Sequence, residues 1–158
     1  MGMIPADAFF GNIEQMISEG KSVEMRCFGG SMRPYLWGDG SETIVISPFS
    51  QEELIPGAIV AFCYHGKYIC HRIIRRDGDI LLIQGDGLIE KHEQVLISDI
   101  IGIIRTIIHR NGKPVSTQTK AARLYWRLWI RLLPIRKYLL RVYQVIHKFR
   151  HLIFTIKK

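Results

Sequence analysis

The chain has 158 residues, which allows one domain and an appendage rather than two full domains. Hydrophobic residues make up 47% and charged residues 23%, which excludes wholesale disorder and collagen-like repeats. The net charge of +8 is split: residues 1–117 carry 11 Lys and Arg against 14 Asp and Glu (−3), while residues 118–158 carry 11 Lys and Arg and no acid (+11).

In chain order, residues 7–18 read as a short amphipathic helix. Phe9, Phe10, Ile13, Met16 and Ile17 recur at three and four, and Gly20 follows the last turn. The period then changes. Runs at 23–28, 43–47, 58–64, 67–74, 80–84 and 100–109 are short, rich in Ile, Val and aromatics, and punctuated by Gly, Pro and Asp. Six close-set strands predict a mainly β, mostly antiparallel core. A turn at Gly66-Lys67 places Cys63 opposite Cys70 and Phe62 opposite His71, with His71 on the face of Ile69 and Ile73 and Arg72 on the other. Asn111-Gly112 signals a second hairpin, returning towards Pro114 and Val115. After Thr119 the pattern is helical, over 120–133 and 135–156, with Pro134 at the break. Lys137, Arg141, Gln144, Lys148 and His151 trace one polar stripe, and Leu, Ile, Val, Tyr and Phe cover the rest. Three segments result: a helical segment 1–20, a domain 21–117 whose strands are complete by themselves, and a basic amphipathic helical tail 118–158.

Cys27, Cys63 and Cys70 are odd in number and include no Cys-x-x-Cys pair, which argues against a disulfide framework or a zinc site and suits a reducing compartment. Residues 1–20 lack the basic and apolar regions of a secretory signal, and no stretch reaches the ~18 uncharged apolar residues of a membrane span. The expectation is peripheral membrane association on the cytoplasmic face.

Chemistry is concentrated in Gly29-Gly30-Ser31-Met32-Arg33-Pro34, followed by Gly38-Asp39. Paired glycines before a serine permit a tight turn that exposes the hydroxyl and frees backbone N–H groups for an oxyanion. A serine hydroxyl needs a base within hydrogen-bond reach, and His71 is the candidate, because an imidazole titrates near neutrality. Taken singly, the serine reads as a turn residue and the histidine as a core residue.

Further segments follow in order: Pro56-Gly57-Ala58-Ile59-Val60, Cys70-His71-Arg72-Ile73, Gln84-Gly85-Asp86-Gly87 and Ile101-Gly102-Ile103. Together with the serine segment they resemble the signal peptidase I and LexA-like serine peptidases, over about half the chain. The Cys70-His71-Arg72-Ile73 string is closest to the His-type, endoplasmic-reticulum-type signal peptidases. The resemblance implies a signal peptidase/LexA-like β-rich fold, Ser31 as nucleophile, His71 as base, and an oxyanion hole from the backbone of Gly30 and Ser31. It implies a peptide or preprotein substrate and no cofactor or metal. His-type relatives carry an aspartate five or six residues beyond the Gly-Asp box, where this chain has Lys91 and His92; the nearest acids are Glu90 and Glu93. The third catalytic group is left between Asp86, which the family also uses structurally, Glu90, and none. A peptide-binding member without activity and a self-cleaving LexA-like regulator are the alternative functions.

The tail suits an anionic membrane interface, since Trp126 and Trp129 precede a wide apolar face bordered by Arg and Lys. Homodimerisation or packing on the domain comes second. Nucleic acid comes third, because a face this apolar would stay exposed on a polyphosphate.

Overall fold

The computed structural model describes the backbone of residues 6–156, and within it the side chains of 10–143, 145 and 146. Helix α1 (Ala6–Ser18) buries Ile13 and Ile17 against the sheet and ends where Gly20 N–H bonds the Ile17 carbonyl at 3.0 Å. Eight strands follow: β1 (Val23–Phe28), β2 (Asp39–Ser47), β3 (Ile59–Tyr64), β4 (Lys67–Asp77), β5 (Ile80–Gln84), β6 (Glu93–Leu96), β7 (Ile100–Ile108) and β8 (Pro114–Ser116). All pairings are antiparallel, in the order β1-β2-β7-β3-β4-β5-β6, with β8 on β7. Helices α2 (Lys120–Arg131) and α3 (Leu133–Ile156) close the chain. The protein is mainly β, as its residue periodicity predicts.

Strand β3 explains why the sheet holds two cores. Its alternate residues belong to different apolar clusters. Ile59 and Ala61 pack with α1, β1, β2 and the buried Met32 and Leu36, whereas Val60 and Phe62 pack with Ile73, Leu81, Ile83 and Val95. A strand buried on both faces reads as a continuous apolar run rather than an alternation. The serine segment is thus anchored in the first core, and β4 to β6 in the second.

The β3–β4 hairpin corrects one expectation. Its two turn residues are His65 and Gly66, not Gly66 and Lys67, and both have positive φ, 49° and 72°. Those angles suit a two-residue hairpin turn whose twist matches the strands. Tyr64 therefore pairs with Lys67, Phe62 with Ile69, and His71 with Val60 rather than with Phe62. Cys70 faces Ala61, not Cys63. The Asn111-Gly112 turn forms as expected, and β8 returns along the end of β7.

The tail is partly seated on the domain. Helix α2 starts at Thr119, whose hydroxyl accepts the Ala122 N–H at 3.1 Å. In α3, Arg136 and Leu140 are buried, while Ile135, Leu139, Val142, Val145 and Ile146 are exposed. The expected polar stripe beyond Arg141, at Gln144, Lys148 and His151, lies outside the described side chains. No helix among the described residues is long and apolar enough to cross a membrane.

Candidate active site

The serine segment leaves β1 through Gly29, at φ 99°, and forms a 3-10 turn over Gly30–Met32. Its mouth is closed where Gly29 N–H bonds the Gly38 carbonyl at 2.8 Å. Arg33 Nε donates to the Trp37 carbonyl at 2.7 Å, and Trp37 N–H donates to buried Glu42 at 2.6 Å. With Met32 and Leu36 in the core, the loop is fixed on both sides and Ser31 is left half-buried at its apex. The Arg33–Pro34 peptide is cis.

His71 enters from β4 and is almost fully buried, with the Phe62 ring edge-on at 6.2 Å. Its Nδ1 lies 3.0 Å from Glu93 Oε2, and both side chains are at most 4% exposed. Burial pulls the imidazole below its ordinary 6.5, against the opposing pull of Glu93. The ring is therefore neutral at neutral pH, with Nε2 free to accept a proton when Nδ1–H is given to Glu93. Glu93 Oε1 has no partner, although buried.

The Gly85–Leu88 turn brings serine and histidine together. A Cβ on Gly85 would lie 2.5 Å from the Ser31 carbonyl oxygen and 2.9 Å from His71 Nε2. Only a glycine lets the backbone pass between them. Gly87 N–H then bonds the Ser31 carbonyl at 2.7 Å. Ser31, His71 and Glu93 line one cavity of about 290 Å³, with Cys27, Tyr68 and Cys70 on its walls. Burial pushes the Cys27 and Cys70 thiols above their ordinary value, so neither is a thiolate at neutral pH and Ser31 is the nucleophile candidate of this cavity. Gly30 opens the 3-10 turn, with the Arg33 side chain 3.4 Å from where its Cβ would be. Among the described residues no hydrogen bond joins Ser31 Oγ to His71.

The acid on His71 is Glu93, not Asp86 or Glu90. Asp86 is fully buried, but its carboxylate is taken by Arg72: Nε to Oδ1 at 2.9 Å and Nη2 to Oδ2 at 2.6 Å. Consecutive strand residues face opposite ways, so Asp86 serves Arg72 and not His71. Arg72 Nη1 also donates to the Gly57 carbonyl at 2.9 Å, and the Tyr35 ring stacks on the guanidinium at 4.8 Å. Glu90 is exposed, and its carbonyl faces His92. Glu93 reaches His71 because β6 pairs with β5, Glu93 opposite Ile83, which itself pairs with Ile73 two residues along from His71. The signal was present in Glu93-Gln94-Val95-Leu96, where positions alternate buried and exposed. A glutamate on the inward face broke the apolar pattern by which the other strands are recognised.

A second pair, His109 Nδ1 with Glu42 Oε1 at 2.8 Å, ties β2 to the residue after β7. Glu42 also holds the serine loop through Trp37, which makes the pair a structural brace. No group of three or more His, Cys, Asp or Glu among the described residues is placed to hold a metal ion. Compared with known proteins, the chain matches no family model, no curated protein and no solved structure.

The buried ion pair yields a stability expectation. Asp86→Asn leaves the Arg72 charge buried and uncompensated, and should cost about 3–5 kcal/mol in denaturant unfolding. The double variant Asp86→Asn with Arg72→Met should lose less than the sum of the two single losses. An Asp86→Asn protein as stable as wild type would show that the pair does not hold the loop.

Proposed function

We propose that the protein is a serine endopeptidase of the signal peptidase/LexA-like fold, which cleaves a signal or leader peptide at a membrane surface. The observation that carries the reading is the buried Glu93–His71 pair sharing one cavity with Ser31. Glu93 accepts the Nδ1 proton and fixes the ring with Nε2 towards the serine. Ser31 Oγ attacks the scissile carbonyl, and its proton passes to His71 Nε2. The oxyanion is held by the Gly30 and Ser31 N–H groups, with no side-chain donor required. His71 then protonates the leaving amine, and water, activated by the same nitrogen, hydrolyses the acyl-enzyme. The Ser31–His71 contact closes on substrate binding, as such contacts commonly do. A member that binds peptides without cutting them is favoured only by that open contact. A self-cleaving regulator of the LexA type has no observation in its favour.

The membrane part of the proposal rests on the tail. Ile135, Leu139, Val142 and Ile146 recur at four, three and four on one exposed face of α3. The tail as a whole, residues 118–158, carries eleven Lys and Arg and no acid. Each basic side chain near anionic lipid contributes about 1 kcal/mol at best, in addition to apolar burial.

Peptidase activity is tested by mass spectrometry of a peptide pool incubated with the protein. Ser31→Ala and His71→Ala should each abolish cleavage, with the double variant no worse than either alone. Glu93→Gln should lower kcat by about two to four orders of magnitude while Glu90→Gln has little effect. Full cleavage by His71→Ala would exclude it as the base. Because burial lowers the His71 pKa, the active neutral form accumulates as pH rises, and kcat/KM should rise through a midpoint below 6.5 and then level off. A rise only above about pH 8 would require a different base, in the range of a lysine.

Full-length protein should co-sediment with anionic liposomes and much less with neutral ones. Salt should weaken the binding only in part, because it screens charge but not apolar burial. Binding to DNA that falls steeply with salt, or a dimer indifferent to lipid, would replace the membrane reading.

A further inference from the structure

Side chains of the basic tail reach the back of the candidate site, where the chemistry has no need of them. Trp129 Nε1 donates to the Asp86 carbonyl at 3.3 Å, and Arg136 Nη2 donates to the Leu88 carbonyl at 2.8 Å. The two are neighbours, the Arg136 guanidinium lying 5.7 Å from the Trp129 ring centre. Between them they hold the second and fourth residues of the turn, whose third residue, Gly87, bonds the Ser31 carbonyl, and whose first residue, Gly85, passes against His71 Nε2.

The domain is shaped for this contact. Gly57, at φ 100°, would carry a Cβ only 2.2 Å from the Trp126 ring, so the absence of a side chain there admits the tail. The Gly57 carbonyl is the one held by Arg72 Nη1. The Tyr125 ring covers the Arg72 guanidinium from the tail side at 5.7 Å. Arg136 is a poor stability device: it is 1% exposed, yet among the described residues Nε and Nη1 have no partner. A buried guanidinium left so incomplete costs stability. Its one hydrogen bond goes to the turn beneath Ser31.

We infer that Trp129 and Arg136 are positioning residues of the active site: they fix the Asp86 and Leu88 carbonyls, and through Gly85 and Gly87 they set Ser31 against His71. The tail is then a working part of the enzyme as well as its anchor. This inference rests on the peptidase reading for its consequence in catalysis, but not for its effect on His71. The charged groups that act on His71 are Glu93 from β6 and Asp86 and Lys91 from the β5–β6 connection; Arg72, its neighbour on β4, is turned to the other face and paired with Asp86. None of them belongs to the tail, so removing a tail hydrogen bond changes His71 by moving the turn and admitting water. Admitted water relieves the burial that lowers the imidazole pKa, and the midpoint should move up towards 6.5.

The test uses full-length protein with two gentle variants, Trp129→Phe, which keeps an aromatic ring and loses the donor, and Arg136→Lys, which keeps one donor and the charge. Arg136→Met removes both. Two readouts are taken: the rate at which a fluorophosphonate probe labels Ser31, and the His71 midpoint from an NMR pH titration. Trp129→Phe and Arg136→Met should label about 10- to 100-fold more slowly, with the His71 midpoint raised and the sheet still folded by circular dichroism. Arg136→Lys should restore part of the rate. Folded variants with lowered melting temperature but an unchanged labelling rate and midpoint would overturn the inference, because that is how purely structural residues behave. If wild type itself is never labelled, the peptidase reading fails, and the His71 midpoint alone decides whether the tail positions the site. Should Arg136→Met not fold, Trp129→Phe and Arg136→Lys decide between the same two outcomes.

Discussion

The buried pair between Arg72 and Asp86 is the constraint on which the other parts converge. Arg72 spends three nitrogens on it and its surroundings: two on the Asp86 carboxylate and one on the Gly57 carbonyl. Asp86 lies in the turn that supports Ser31, Gly57 is where the tail is admitted, and Tyr35 and Tyr125 cover the guanidinium from the serine loop and from α2. A charge pair this dry is a weak source of net stability, because desolvation offsets most of the attraction. What it supplies is geometry, since an arginine fork accepts only one arrangement of its partners.

The dipeptide His71-Arg72 divides the labour of strand β4. Strand geometry sends the two side chains to opposite faces, so His71 meets Glu93, Phe62 and the cavity of Ser31, while Arg72 meets the scaffold. In the proposed mechanism the reactive face is thereby separated from the supporting face by the thickness of one strand. The tail belongs to the supporting side. Trp129 and Arg136 give their hydrogen bonds to carbonyls of the turn, and the apolar stripe of α3 remains exposed.

Much of this organisation was legible in the sequence, and the parts that were not have definite causes. Strands β1 and β5 have the boundaries expected from apolar runs, and α1, α2 and α3 differ from the expected helices by one or two residues at an end. The hairpin turn lies one position earlier than its glycine suggests, and the pairing differs by two residues, because a histidine, His65, takes the left-handed conformation beside Gly66. Strand β6 was missed because one of its two inward positions is Glu93. The partner of His71 is hidden for the same reason: Glu93 is delivered by pairing across β5 and not by its spacing from Asp86. The docking of α2 was equally hidden. A glycine at 57 and a tryptophan at 126 have no sequence pattern that joins them, and only the contact between Gly57 and the Trp126 ring shows the relation.

In the proposed mechanism Glu93 orients His71 so that Nε2 is the free base facing Ser31. Nitrogen-15 NMR of imidazole-labelled protein at neutral pH measures this directly, because the two ring nitrogens differ in shift according to which carries the proton. The expected result is a neutral ring with its proton on Nδ1, and loss of that tautomer preference in Glu93→Gln. A ring protonated on Nε2 in the wild type, or a tautomer indifferent to Glu93→Gln, would contradict it.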